Sequence, residues 1–181
     1  AFGGTTSLID FAIQPKGGSL MDGLTTWHEK AAGKACIDYG FHANITDPQP
    51  GIFNELPGLL SQGVSSVKML MSYKGTFQVD DTTLFKVMQI AAQHGLLVMV
   101  HAENGDVFAE LTANLVAAGK ADPHYHLAAH PAAAEAEATC RAVSLAGISG
   151  ATVYVVHMTC AGAVEQLSIG RSKGYDVLGE T

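Results

Sequence analysis

Ser65-Ser66-Val67-Lys68-Met69-Leu70-Met71-Ser72-Tyr73-Lys74-Gly75 sets a lysine inside an apolar run that reads as a buried strand, with Tyr73 where that strand should end. Lysine is almost never fully buried unless something pairs with it. The plain reading is that Lys68 snorkels, laying its methylenes on apolar surface and its ammonium in water. Two later runs favour another reading, because each ends in histidine: Leu97-Val98-Met99-Val100-His101 and Val153-Tyr154-Val155-Val156-His157. Lys68, His101 and His157, delivered by three strands, form a constellation of metal-ligand type.

Upstream of that stretch, residues 5–12 read as a first strand, closed by Gln14-Pro15-Lys16-Gly17-Gly18. Ser19 or Asp22 can cap a helix running to about Lys34, followed by a second strand over 35–41 with His42 just after it. A Pro-rich turn at 47–51 leads to a short helix from about Phe53 to Gln62, stopped by Gly63. The Lys68 strand covers 64–71. Downstream, Asp80 or Asp81 caps a helix in which Leu84, Val87, Met88 and Ala91 recur at i, i+3, i+4, i+7. Gly95 ends it, and 96–102 is the strand that carries His101. Asp106 starts a helix with Val107, Leu111 and Leu115 on one stripe, and 121–130 is an irregular, His-rich connection. Pro131 opens an Ala-rich helix to about Ala146; a strand over 152–157, a helix over 161–173 and a strand beginning near 176 follow.

This alternation gives about six βα units whose strands are short, continuous apolar runs, the pattern of a parallel sheet covered by helices. Doubly wound sheets and (β/α)8 barrels both satisfy it. Candidate functional residues at several successive strand ends favour the barrel, whose sites are built there. An open sheet gathers them at one switch point beside a Gly-rich phosphate loop, and no G-x-G-x-x-G or Walker A pattern is present. The expected fold is therefore α/β, a partial TIM-type barrel. Residues 1–181 are expected to form part of a single barrel domain truncated at both ends.

Composition excludes several function classes. The chain is 48% hydrophobic and 15% charged, with a net charge of −7 and only 10 Lys and Arg, which offers nothing to offset phosphate repulsion; no nucleic-acid partner is expected. Cys36, Cys140 and Cys160 are odd in number and lack C-x-x-C spacing, which points to a reducing, cytoplasmic setting rather than a disulfide scaffold. From Ala142 to Val164 no Asp, Glu, Lys or Arg occurs, a run long enough to span a membrane. Gly147, Gly150, Gly162 and His157 interrupt it, so it reads as a helix end, a turn and a buried strand, with no membrane partner.

The three candidates make chemical sense together. Imidazole suits zinc and other first-row metals. An unmodified lysine does not, since a pKa near ~10.4 keeps it cationic in water. Addition of carbon dioxide to the neutral amine produces a carbamate, an anion whose two oxygens can bridge two cations. Burial assists by disfavouring the ammonium form.

Phe2-Gly3-Gly4-Thr5-Thr6-Ser7-Leu8-Ile9-Asp10-Phe11 and its continuation to Leu20, the S-x-K-x-x-M-x-Y-K segment at Ser66–Lys74, VHAENGD at 100–106, AEAEATCRA at 134–142 and VYVVHMT at 153–159 carry a resemblance. Along essentially its whole length the chain resembles the cyclic amidohydrolases of the dihydropyrimidinase and D-hydantoinase group, in the metal-dependent amidohydrolase superfamily. The resemblance implies that Lys68 is carboxylated and bridges two divalent metal ions, zinc in the family, and that His101 and His157 are ligands of the second metal. It implies that Tyr73 aims its hydroxyl at the oxyanion formed when the ring amide is attacked, so that Tyr73 and Lys68 are the catalytic residues. The implied reaction is hydrolysis of a small cyclic ureide or amide, a 5,6-dihydropyrimidine or a 5-substituted hydantoin, by a metal-bridging hydroxide in a homotetramer. The family's H-x-H pair and an aspartate ligand fall before Ala1 and after Thr181, so the chain by itself is expected to be inactive. A non-catalytic dihydropyrimidinase-related scaffold is the alternative, as is another cyclic amidohydrolase such as allantoinase or dihydroorotase; HAENGD combined with K-x-x-x-x-Y separates this branch from the last two. His42 has no counterpart among the family's ligands, and His28 and His94 read as surface or packing residues. His124, His126 and His130 lie in a connection that binds nothing in relatives, many of which carry Arg-Pro where His130-Pro131 stands. Glu103 and Asn104 either orient His101 or cap the next helix. Cys160 reads as packing.

Overall fold

The computed structural model describes residues 2–181. In chain order the elements are β1 (Ser7–Ile13), α1 (Leu20–Ala31), β2 (Asp38–Asn44), α2 (Ile52–Glu55) running into a 3₁₀ turn (Leu56–Gln62), β3 (Ser66–Leu70), α3 (Asp81–His94) and β4 (Leu97–His101). There follow α4 (Gly105–Ala117), a 3₁₀ turn (Pro123–Tyr125), α5 (His126–Ala129), α6 (Ala132–Ser149), β5 (Val153–Val155), α7 (Ala161–Ser172) and β6 (Val177–Gly179).

The six strands form one sheet in the order β1-β2-β3-β4-β5-β6, every pair parallel. This order decides between the two architectures. A doubly wound sheet reverses direction at a switch point, whereas here each strand pairs with the next. Right-handed crossovers that all advance the same way put every connecting helix on one face and curl the sheet toward the other. The fold is thus an arc of a (β/α)8 barrel.

Local chemistry sets the helix ends. Ser19 and Asp22 form a reciprocal capping box at α1, with Asp22 N–H donating to Ser19 Oγ at 3.0 Å and Ser19 N–H to Asp22 at 2.9 Å. Asp80 caps α3 by accepting from Thr83 N–H, and Gly95 closes it in the left-handed region at φ 73°. Leu84, Val87, Met88 and Ala91 are all buried, as their spacing requires. The charge-free run from Ala142 divides into the end of α6, β5 and the start of α7, and no helix among the described residues is long and apolar enough to cross a membrane.

Several boundaries differ from expectation. The second strand begins at Asp38 rather than at residue 35, because its ladder with β1 pairs Ser7 with Asp38 and Ile13 with Asn44. His42 is consequently inside β2 and not beyond it. The expected helix over 53–62 is largely 3₁₀, since Pro57 near its start supplies no N–H for an α-helical ladder. The connection 121–130 contains two short helical turns. β5 stops at Val155, so His157 lies past the strand in a loop. Helix α4 starts at Gly105 with Asn104 as its cap, and its expected stripe is not a core face: Val107 is exposed, because α4 packs on α5 and not on the sheet.

Candidate metal centre

Alternation along β3 turns Val67 and Met69, both at 0% exposure, toward the helices, and Ser66 and Lys68 toward the concave face. Lys68 stands in register between Asn44 and Met99. Beside it, His42 Nδ1 lies 2.5 Å from Ser66 Oγ, and the Phe11 ring sits 5.1 Å from the His42 ring and 5.7 Å from Lys68 Nζ. At 5% exposure Lys68 is a buried residue. Among the described residues its ammonium has neither an ion-pair nor a hydrogen-bond partner, and it lies over the Phe11 ring. Burial pushes its pKa down to about 8, against a partial upward pull from Glu180.

One row nearer the mouth, His101 ends β4. Its Nδ1 lies 3.0 Å from Nε2 of His157, and its Nε2 lies 3.4 Å from Glu103 Oε2. Burial, with the His157 imidazole and the Lys68 ammonium adding to it, pushes the His101 pKa down to about 4, with Glu103 acting in the opposite sense. His101 is therefore held neutral, the form that offers a lone pair. Lys68 makes no hydrogen bond to either histidine among the described residues: it acts on His101 through its charge, from one row deeper.

The backbone is strained at this site. Tyr73 (φ 68°) and His157 (φ 40°) are the only non-glycine residues with positive φ among those described. Such conformations cost of order 1–3 kcal/mol and cluster at functional sites. At Tyr73 the carbonyl accepts from the N–H groups of Thr76 and Phe77, both at 3.1 Å, and the ring comes to rest 5.4 Å from that of His101. At His157 the loop is held on both sides. Val156 N–H donates to Val100 O at 3.1 Å, Met158 N–H to Glu180 O at 2.7 Å, and Thr159 N–H to Glu135 Oε1 at 2.7 Å. The Thr159 hydroxyl also donates to Glu135.

Tyr73, His101, Glu103, His157, Thr159 and Cys160 are among the residues lining a cavity of about 620 Å³ at the carboxyl ends of β3–β5. Lys68 lies below this wall and is not part of it. The structure thus unites His101, His157 and Tyr73 at one mouth, with Lys68 on the same face underneath. His42, set aside on sequence grounds, shares that concave face, and burial followed by the Lys68 charge lowers its pKa. Cys160 donates its thiol to Ala132 O at 3.4 Å, a packing contact.

Two contributors escaped the sequence. His130 Nδ1 makes a short contact with Glu103 Oε1 across 27 residues, and Glu135 clamps the His157 loop from α6. Only the direct neighbours of His101 carried any signal, in the HAENGD string.

The donors present fit a cation. Two imidazole nitrogens converge to 3.0 Å, against a ligand separation of roughly 3.3 Å for a tetrahedral zinc with ~2.0–2.1 Å bonds. Beneath them is a buried amine that makes no ion pair among the described residues. No group of three His, Cys, Asp or Glu that could hold a metal ion occurs among the described residues.

No family model matches the chain. It is 48% identical over 182 residues to the D-hydantoinase of Geobacillus stearothermophilus, covering 100% of this chain and 39% of that protein. It is 37% identical over 179 residues to the dihydropyrimidinase of Rattus norvegicus, covering 98% of this chain and 34% of that one. The crystal structure of dihydropyrimidinase from Brevibacillus agri NCHU1002 superposes with a TM-score of 0.97 at 48% identity, over 100% of this chain and 40% of its own. The chain spans about two fifths of the length of the relatives it matches.

Proposed function

The chain belongs to the D-hydantoinase and dihydropyrimidinase family of cyclic amidohydrolases, and from that premise we propose that the whole protein hydrolyses a cyclic amide ring, in a 5,6-dihydropyrimidine or a 5-substituted hydantoin. The observation that carries this reading is a buried lysine under two histidines whose ring nitrogens converge.

Residues 1–181 are then part of a single barrel domain. Lys68, His101 and His157 would hold two divalent ions, zinc by the family resemblance, together with ligands from outside this segment. When bound, such ions polarise a carbonyl and lower the pKa of water toward ~7. Lys68 prepares its own part. With its pKa near 8, an appreciable share is neutral amine at mildly alkaline pH. That amine forms a bond to the carbon of carbon dioxide and releases one N–H proton to solvent, leaving an anionic carbamate at a position that offers an ammonium no partner. His101, uncharged because it is buried, presents Nδ1 toward His157. Tyr73, lining the cavity with its ring against His101, donates its hydroxyl to the oxyanion growing on the ring carbonyl. A single donor of this kind is worth ~3–4 kcal/mol. The left-handed backbone at Tyr73 sets the direction in which its side chain leaves the chain, toward the cavity.

The finer assignments follow the same premise. A homotetramer is the family assembly, and free cysteines at 36, 140 and 160 suit a reducing cytoplasm. The test is Lys68→Ala in the full-length protein. It should lose ring-opening activity and the paired metals together, and a short carboxylic acid with bicarbonate should restore part of both. An electron-density map with a bare ammonium beside two fully occupied metals would overturn the carbamate.

A further inference from the structure

His101 must present one particular nitrogen to a cation, and an imidazole does so only if its other nitrogen is engaged. Glu103, two residues on and 9% exposed, lies between two histidine rings. Its Oε2 is 3.4 Å from His101 Nε2, and its Oε1 contacts His130 Nδ1. A carboxylate can only accept, so both ring nitrogens facing it must carry the hydrogen. This sets one tautomer on each ring: Nε2–H on His101, which frees Nδ1 toward His157 Nε2 at 3.0 Å, and Nδ1–H on His130.

We propose that Glu103 and His130 are positioning residues for the metal centre: His130 anchors the carboxylate, and the carboxylate holds His101 in the tautomer that offers Nδ1. The inference rests on the assignment of His101 and His157 as ligands, and it extends that assignment to a residue 29 positions further on, in a different connection. His130 is well placed to act as a fixed post. Its side chain is 13% exposed, and its ring packs at a tilt against Phe108, at 4.1 Å between centroids, and His126, at 4.0 Å. Its Nε2 is buried with no partner, so Glu103 is the one polar group that holds the ring. Neighbouring bonds keep the two segments in place: Asn104 N–H donates to Ala134 O at 3.2 Å, and the Asn104 amide donates to Glu137 at 2.7 Å.

The chemistry distinguishes a positioning role from a packing one. Glu103→Gln keeps the shape but supplies one acceptor and one NH₂ donor, so one of the two rings must turn its tautomer. His130→Ala removes the anchor, whereas His130→Asn retains a donor near the place of Nδ1. In the full-length protein, stripped by chelator and titrated with zinc alone against a chromogenic competitor, Glu103→Gln and His130→Ala should each weaken zinc binding by ~10- to 100-fold. His130→Asn should recover most of that loss, and all three should keep the wild-type unfolding midpoint within a few degrees. Nitrogen-15 spectra of the histidine-labelled, zinc-free protein should show His101 as the Nε2–H tautomer in wild type and His130→Asn, and a tautomer mixture in Glu103→Gln and His130→Ala. Unchanged zinc affinity and an unchanged His101 tautomer in Glu103→Gln and His130→Ala would overturn the inference. His101→Ala separates this failure from a failure of the ligand assignment: if His101→Ala loses zinc while these variants do not, only the positioning role is wrong. If His101→Ala also keeps its zinc, the ligand assignment itself is wrong.

Discussion

Replacing Lys68 by methionine should stabilise the metal-free protein while destroying its metal site. The two side chains have similar length and volume, so packing changes little; what disappears is a charge. Lys68 is 5% exposed, makes no ion pair among the described residues, and has a pKa pushed from 10.5 down to about 8 by burial, with Glu180 offsetting only part of that push. At about 1.4 kcal/mol per pKa unit, the protonated side chain opposes folding by about 3 kcal/mol. The sign follows from linkage. Between pH 8 and 10.5 the unfolded chain keeps this proton and the folded one has released it, so wild-type stability rises with pH across that window. Below pH 8 the penalty is present in full. Denaturant unfolding of chelator-stripped full-length protein, followed by circular dichroism from pH 7 to 10, should therefore find Lys68→Met the more stable by up to ~3 kcal/mol at pH 7, with the gap narrowing as pH climbs. Adding zinc should reverse the order, because only the wild type binds the ions and gains stability from them. A variant less stable than wild type at pH 7, or a gap that ignores pH, would refute the account of an uncompensated buried ammonium.

Tyr73→Phe removes one hydroxyl from the cavity lining; kcat should fall by ~10²- to 10³-fold with metal content intact, and loss of metal or full retention of kcat would reassign Tyr73 to packing. Glu135→Ala frees the Thr159 N–H and hydroxyl that hold the His157 loop. Thermal unfolding should register a loss of ~1–3 kcal/mol, and zinc titration a weaker site, with Thr159→Val giving a smaller loss because only the hydroxyl bond goes. Gly105→Ala should destabilise by ~1–3 kcal/mol, since a Cβ there would sit 2.3 Å from Gln78 Oε1 and 2.6 Å from the Ser72 Cα. Wild-type stability in that variant would mean that α4 can shift away from the turn after β3.

Much of the fold was legible because burial writes itself into periodicity. The apolar runs around Val67, Val98 and Val153 have no exposed face to mark with polar residues, and the stripe Leu84, Val87, Met88, Ala91 has one. The choice between barrel and doubly wound sheet was legible only indirectly, through the strand ends that carried candidate ligands. The structure supplies the direct reason, a strand order without reversal. Where reading failed, a tertiary partner had decided the outcome. Register with β1 moved β2 by three residues and took His42 into the sheet, and docking on α5 gave α4 an exposed Val107. Pro57, which has no N–H to give a helical ladder, marks the 3₁₀ turn from the sequence itself.

The site divides along the same line. Lys68 and His101 were visible because a charged or polar residue inside an apolar run contradicts its own neighbourhood. His157 was visible for the same reason, though its loop position was not: φ 40° is a property of the bonds that hold Val156, Met158 and Thr159 from three other segments. His130 offered no local contradiction, being one histidine in a polar connection. Its contact with Glu103 exists only once α5 and α6 set that connection against the end of β4. The features that contradict local preference, a buried ammonium without a partner and two left-handed non-glycine residues, all fall on one face of the sheet or at its mouth. Each is unfavourable in the chain alone, and a ligand that accepts a carbamate and two imidazoles would offset them together. The strain therefore points to the same site as the donors do, by an argument independent of which residues can bind metal.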